Sequence, residues 1–263
     1  MTARAVTSLT NPTVKAVRAL HLRKAREETG RFVAEGLKIV TEAVELGRAP
    51  AILLYGAEAA DHPLLRQAAA AARAAGGEVI EVTQDILAKI SRRDNPQAVV
   101  GVFDQVFTPL EAIRPQAAPC WVALHKVRDP GNLGTIIRTA DAAGCGAVIL
   151  VGDCVDPFSV EAVRATMGSI FAVPIVRADE AGFAAWRLGW PGSVVGTLLS
   201  AQLDHRQAAY PKPSLLLMGN EQQGLPPEMA ALCDVNVKIP MRGRADSLNL
   251  AVATGIMIYA AAT

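Results

Sequence analysis

Apolar positions along the chain alternate between two periods, and the alternation repeats to the C-terminus. Val14 and Val17, followed by Leu20 and Leu22, fall at helical spacing, with Pro12 suited to a helix start. Phe32-Val33 is short and strand-like. A helical stretch follows over 36–46, a strand over 51–54, an Ala-rich helix over 63–75 closed by Gly76-Gly77, and a strand over 79–82. Residues 84–90 are helical in pattern, and 97–106 is apolar and β-branched, hence a strand. The first hundred residues therefore predict a small α/β sandwich.

Residues 107–118 carry Pro109 and Pro115, lead into Pro119 and show little periodicity, which marks a linker. Beyond it the alternation resumes. Strands are predicted over 121–124, 147–151, 172–176, 193–199, 214–218 and 235–239. Helices are predicted over 133–143, 160–167, 181–188, 227–232 and 248–261. Short apolar strands separated by helices imply a buried parallel sheet. The predicted organisation is an α/β chain of two domains, 1–106 and 119–263, joined by 107–118.

Composition narrows the function classes. Of 263 residues, 51% are hydrophobic and 19% charged, which excludes intrinsic disorder and allows each half its own core. A net charge of +1 excludes a globally basic nucleic-acid coat protein but not a local basic patch. Such a patch exists, because residues 1–31 carry seven basic residues and two acids, a local charge of +5. It is either a nucleic-acid contact or simply a solvated helix face. Met1-Thr2-Ala3-Arg4 leads into a polar stretch, so no secretory signal is expected. The apolar C-terminal stretch from Leu250 to Ala262 is too short to span a membrane. Cys120, Cys145, Cys154 and Cys233 are scattered, with neither C-x-x-C nor zinc spacing, so reduced core cysteines, no metal and a cytoplasmic location are expected.

Familiar nucleotide motifs are missing. Gly144-Cys145-Gly146 lacks a third glycine and precedes a strand, and no G-x-x-x-x-G-K-[ST] or G-x-S-x-G occurs. Three other segments are unusual. Asp129-Pro130-Gly131-Asn132 opens a helix that carries Arg138 among apolar neighbours, with Asn132 a plausible N-cap. Leu215-Leu216-Leu217-Met218-Gly219-Asn220-Glu221-Gln222-Gln223-Gly224 is a strand ending in a glycine-bracketed polar loop, where open α/β sheets bind ligands. Ile239-Pro240-Met241 leads through a loop to Asp246-Ser247-Leu248-Asn249, with Asp246 or Ser247 capping the last helix. Taken alone, Arg138 is most simply a structural ion-pair partner.

In this order and spacing, the three segments resemble the motifs of the SpoU/TrmH family of RNA 2′-O-ribose methyltransferases, within the SPOUT superfamily. Asn11-Pro12-Thr13-Val14-Lys15, Arg23-Lys24-Ala25-Arg26 and Phe32-Val33-Ala34-Glu35-Gly36 resemble the L30e-like substrate-binding domain attached to many members. The resemblance implies a C-terminal parallel-sheet domain with a deep trefoil knot that holds S-adenosylmethionine. By position it implies Leu217, Gly219, Ile239, Met241 and Leu248 as cofactor contacts. Arg138, Asn132, Glu221, Ser247 and Asn249 become the catalytic candidates, and Lys15, Arg18, Arg23, Lys24 and Arg26 the RNA contacts. His125 departs from the family, many members of which have an acidic residue there. A homodimer acting on RNA is implied, with ribosomal RNA favoured, transfer RNA the alternative, and a non-catalytic RNA-binding or ribosome-assembly factor the alternative of another kind. A guanidinium is almost always protonated, so Arg138 fits a phosphate or a developing oxyanion better than it fits a general base.

Overall fold

A computed structural model describes residues 4–262; the opening Met1-Thr2-Ala3 of the signal and domain assignments, and Thr263, lie outside them. The chain divides into two compact units, residues 1–105 with 158–172, and 106–157 with 173–263.

The first unit contains strands β1 (Arg4–Val6), β2 (Arg31–Glu35), β3 (Ile52–Gly56), β4 (Glu78–Val82) and β5 (Val99–Asp104), in the order β1-β4-β3-β5-β2. Strands β1, β4 and β3 run parallel, while β5 and β2 pair antiparallel. Its helices are α1 (Pro12–Ala19), α2 (Arg23–Thr29), α3 (Leu37–Glu45), α4 (Pro63–Ala74), α5 (Gln84–Ser91) and α7 (Val160–Thr166). The predicted basic helix is two helices, broken after Leu20. Asn11 caps the first by accepting from the Thr13 N–H, and Gly30 ends the second in the left-handed region at φ +64°. Val14 and Val17 of α1 lie in one core with Ile86, Leu87 and Ile90 of α5, which sets the two helices side by side. Helix α7 belongs here for two reasons. Arg164 donates to both Glu35 carboxylate oxygens at 2.8 and 3.0 Å, and the flanking Phe158 and Phe171 stack on Phe32 at 4.7 and 5.7 Å between ring centres.

The second unit is a seven-stranded, wholly parallel sheet in the order β10-β12-β9-β11-β6-β7-β8. The strands are β6 (Cys120–His125), β7 (Val148–Val151), β8 (Ile175–Ala178), β9 (Val194–Thr197), β10 (Leu203–Asp204), β11 (Ser214–Met218) and β12 (Val235–Lys238). Helices α6 (Pro130–Ala142), α8 (Glu180–Arg187), α9 (Pro227–Ala230) and α10 (Leu250–Ala262) complete it. Every residue of β6, β7 and β11 is buried, as continuous apolar runs in a parallel sheet require. The segment 107–118 holds two short 3₁₀ turns, and Thr108 bridges Val176 beside the edge strand β8. All four cysteines are free thiols. No helix among the described residues is long and apolar enough to cross a membrane.

Candidate active site

In a parallel sheet all strand C-termini point to one edge, and ligands gather there where the strand order reverses. Strand β11 sits between β6 and β9, and the loops that follow β9, β11 and β12 line one cleft of about 710 Å³. Its walls include Thr197–Ser200, Met218–Leu225, Ile239, Met241 and Asp246–Leu250. Gly219, from the loop after β11, and Ile239, Met241 and Leu248, from the loop after β12, therefore meet at one place. Leu217 does not join them. Side chains alternate along a strand, so Leu217 is buried in the core and its neighbour Met218 lines the cleft.

The loop after β11 is tightly closed. Asn220 and Gly224 exchange backbone hydrogen bonds at 3.2 and 3.1 Å, Gly224 adopts φ +66°, and Asn220 Oδ1 accepts from the Gln222 and Gln223 N–H groups. A Cβ on Gly219 would lie 1.9 Å from the Gly224 carbonyl carbon and 2.1 Å from the Leu225 nitrogen. Glycine is thus required by the loop's own backbone, rather than by the approach of a ligand as glycine at a strand end suggests.

This loop carries Glu221 to the start of α6. Glu221 Oε1 accepts from Asn132 Nδ2 and from the Asp129 N–H, both at 3.1 Å, and Oε2 accepts from the Arg128 N–H at 3.2 Å. Asn132 Oδ1 accepts from Asn249 Nδ2 at 2.8 Å. Asn249 Oδ1 accepts from the Ala251 and Val252 N–H groups at 2.9 and 3.3 Å, so Asn249, not Asp246 or Ser247, caps α10. Likewise Asp129, not Asn132, caps α6, leaving the Asn132 side chain free to bridge. Glu221, Asn132 and Asn249 thereby pin three loops together. Ser247 is exposed at the cleft and donates to Asp246.

Burial pushes the Glu221 carboxyl up, but hydrogen bonds from Asn132 and from backbone N–H groups outweigh it, and the net shift is downward. Glu221 is accordingly an ionised acceptor that organises its neighbours. A depressed carboxyl contributes above its ordinary value of 4.5 and loses that contribution as the pH falls further. Cofactor affinity of the wild type is expected to hold from neutral pH down to that region and then decline, whereas Glu221→Gln should start about 5- to 10-fold weaker and show no such decline, since its neutral amide forgoes the charge assistance. Calorimetric titration across pH with both proteins checks this; parallel curves would show that the carboxylate has no part in shaping the cleft.

Arg138 lies about 9 Å along α6 from Asn132. It is exposed, does not line the cleft, and makes no hydrogen bond or ion pair among the described residues. The ion-pair explanation for it fails. His125 is 2% exposed and its Nε2 meets Glu180 Oε1 at 2.5 Å, with Lys126 Nζ 3.0 Å from the same carboxylate, and it is not part of the cleft wall. Of the basic residues near the N-terminus, Lys15 and Arg18 are exposed. Arg23 and Lys24 pair with Glu27 and Glu28 one turn on, and Arg26 is turned inward, donating to the Leu20 carbonyl at 2.8 Å. Residues 197–200, missed in the sequence, also enter the cleft; their one signal was a strand end followed by a polar loop.

Comparison with known proteins agrees with this architecture. The SpoU rRNA Methylase family matches residues 119–259, and the MRM3-like substrate binding domain matches 11–101. The chain is similar to the 23S rRNA (guanosine(2553)-2′-O)-methyltransferase RlmP of Bacillus subtilis, 30% identical with 97% of each chain covered. It is 33% identical to the 23S rRNA (uridine(2479)-2′-O)-methyltransferase of Streptomyces viridochromogenes, covering 91% of this chain and 85% of that protein. Among solved structures, an AdoMet-bound rRNA methyltransferase from Sinorhizobium meliloti superposes with a TM-score of 0.92 at 53% identity, covering 98% of this chain and 97% of the other. The chain belongs to the SpoU rRNA methylase family.

Proposed function

We propose that this chain transfers a methyl group from S-adenosylmethionine to a ribose 2′-hydroxyl of ribosomal RNA. The observation that carries the reading is the convergence of Gly219, Ile239, Met241 and Leu248 on one cleft whose floor is pinned by Glu221, Asn132 and Asn249. The cleft fits the cofactor. Its volume lies in the range of small-molecule sites, Leu198, Leu225, Ile239 and Leu248 offer apolar walls, and the buried Thr197 hydroxyl oxygen has no partner among the described residues. The backbone groups of the loops around 198, 219–225 and 239–248 would hold the adenosine, with Met241 and Leu248 beside it. Bound there, the cofactor supplies an electrophilic methyl group on a sulfonium.

The chain's own part is largely placement, since an in-line displacement is governed by the alignment of acceptor and donor. Glu221, Asn132 and Asn249 use their polar atoms on one another and on backbone N–H groups, so they orient the cleft, leaving Ser247 at its mouth as a contact for the nucleotide. Arg138 remains permanently charged and grips the acceptor's phosphate or its developing oxyanion.

Because Arg138 is remote from its own cleft, we assign it to the cleft of a second copy, in a homodimer. Two features support this. Arg138 has no hydrogen-bond or ion-pair partner among the described residues, and α10, which packs on α6, leaves Val252 and Tyr259 more than half exposed on a helix that is apolar all round. The trefoil knot belongs to the same reading. It is supported by the path of the chain, which leaves β12 outside β9 and returns as α10 to pack on α6, β6 and β11.

Ribosomal RNA is favoured over transfer RNA because two relatives that match nearly the whole chain are named for 23S rRNA, while a third of similar coverage is named a tRNA/rRNA methyltransferase without choosing between them. Their targets differ in base, a uridine and a guanosine, so base choice lies outside the shared motifs. The cytoplasm, where ribosomal RNA is assembled, is the corresponding location. The test is transfer of labelled methyl from S-adenosylmethionine to protein-free ribosomal RNA and, separately, to transfer RNA, followed by mapping of alkali-resistant linkages. Incorporation at a ribosomal ribose is expected. Cofactor and RNA binding without transfer would favour the non-catalytic assembly factor.

A further inference from the structure

The first unit holds a second cleft, of about 660 Å³, lined by Lys15, Arg18, Ala19, Ala88, Lys89, Arg92, Arg93 and Asp94. Its origin is local. Val14 and Val17 commit one face of α1 to the core against Ile86, Leu87 and Ile90 of α5. Lys15 and Arg18, each one residue further round α1, are thereby set at the rim, opposite Lys89 on the exposed side of α5. Arg92 ends α5 in the left-handed region at φ +54°, which turns the chain so that Arg92 and Arg93 close the cleft.

The charge distribution is informative. Arg23, Lys24, Arg31, Lys38, Arg66 and Arg164 of the same unit each meet a carboxylate. None of the five cations of the cleft does so among the described residues, and the only acid in its wall is Asp94. Five like charges around one concavity repel one another, and their field is strongest in the groove between low-dielectric walls. A polyanion relieves that repulsion. Lys15 and Arg18 stand at i,i+3 spacing, about 5–6 Å between Cβ atoms, comparable to the step between successive phosphates on one strand. Arg also offers a planar fork that suits phosphate oxygens.

We infer that the α1–α5 cleft binds the RNA phosphodiester backbone, independently of sequence, and that Lys15, Arg18, Lys89, Arg92 and Arg93 are its contacts. This rests on the reading of the chain as an RNA-modifying enzyme. It moves the RNA contact from the basic helix α2, where Arg23 and Lys24 are paired and Arg26 is buried, to a surface shared with residues seventy positions later.

The test uses the full chain and a fluorescein-labelled RNA hairpin of about 20 nucleotides, titrated over a range of potassium chloride concentrations. Lys15→Gln/Arg18→Gln/Lys89→Gln should weaken binding about 10- to 100-fold near 0.1 M salt and flatten the logarithmic salt dependence by about 2–3, because each phosphate contact releases counterions. Arg23→Gln/Lys24→Gln should change affinity less than about 2-fold, its pairs being exposed and weak. Lys89→Glu alone, on the solvent side of α5, gives the same direction with the least disturbance to folding, and the melting temperature verifies each variant. Calorimetry with S-adenosylmethionine should give the wild-type affinity throughout. Unchanged affinity and salt slope in the triple variant would overturn the inference, and so would loss of binding only to a polyglutamate probe, which would assign the cleft to an acidic protein. Failure of the wild type to bind S-adenosylmethionine would instead overturn the methyl-transfer reading, while leaving the RNA titration interpretable.

Discussion

Arg138→Ala is expected to lower kcat by about 10²–10³-fold, the usual cost of removing a group that stabilises transition-state charge. Cofactor affinity and melting temperature should remain close to wild type. Both expectations follow from the same observation: Arg138 is exposed, has no partner among the described residues and stands outside the cleft of its own chain. Loss of an interaction made only in the transition state lowers kcat and kcat/KM together, whereas loss of a ground-state RNA contact raises KM alone. Lysine in its place keeps the charge but not the fork, so partial rescue by Arg138→Lys separates simple charge stabilisation from bidentate phosphate binding.

The dimer assignment makes the prediction sharper. Arg138→Ala retains a sound cleft, and Gly219→Val retains a sound Arg138. If the arginine serves the partner's cleft, a mixed dimer holds one complete site, and random mixing of the two inactive variants restores about a quarter of wild-type activity in a closed two-fold dimer. Restoration requires subunit exchange, which co-expression provides. An inactive mixture of folded, dimeric variants would show that Arg138 serves its own chain or none. A melting temperature many degrees lower in Arg138→Ala, with full activity when cold, would return Arg138 to a purely structural role.

Gly219→Val is expected to abolish measurable cofactor binding, a loss of more than about 100-fold in affinity, for a steric reason internal to the protein. Even the Cβ of alanine would lie 1.9 Å from the Gly224 carbonyl carbon, so the loop cannot keep its closure and must be displaced. Overpacking of this kind costs about 1–3 kcal/mol, and at about 2–4 °C per kcal/mol in a chain of this size the melting temperature should fall by several degrees. Displacement also carries Glu221 away from Asn132 and from the Asp129 and Arg128 N–H groups, loosening the loop ahead of α6, while the Asp129 cap on the Asn132 N–H still holds the helix that carries Arg138. Gly224→Ala is the contrast. Its position has open space within 4 Å but φ +66°, so the cost is only that of a left-handed residue, about 1–2 kcal/mol, and weaker cofactor binding should remain measurable. Normal cofactor affinity in Gly219→Ala, at an unchanged melting temperature, would mean that this loop does not shape the cleft.

Much of the fold is legible in the linear pattern because the parallel sheet enforces it. Strands buried on both faces must be short continuous apolar runs, and β6, β7 and β11 appear as such in the sequence. Weakly patterned edges escape: β1 is three residues and β10 two, each paired on one side only, and neither has enough apolar residues to show a period. Cap assignments shift for a related reason. Asp129, Asn132, Asp246, Ser247 and Asn249 are all competent N-caps by residue type, and only the surrounding hydrogen bonds determine that Asp129 and Asn249 perform the task.

The sequence by itself determined the chemistry available: three polar, glycine-bearing segments at strand ends, in a spacing that marks the family. Tertiary structure decided what each residue does with it. The order β12-β9-β11 brings loops from residues 197–200, 219–225 and 239–249 to one cleft, a long-range arrangement that no local pattern encodes. Packing turned Arg26 inward, left Arg138 exposed with no ionic partner among the described residues, and joined 158–172 to the first unit through Arg164 and two phenylalanines. It also set Lys89, Arg92 and Arg93 opposite Lys15 and Arg18, because two helices that share a core present their adjoining rims to the same groove. Residue type is local, whereas the partner of a charge is fixed only when distant segments pack, and so the ionic roles were the part that had to await the fold.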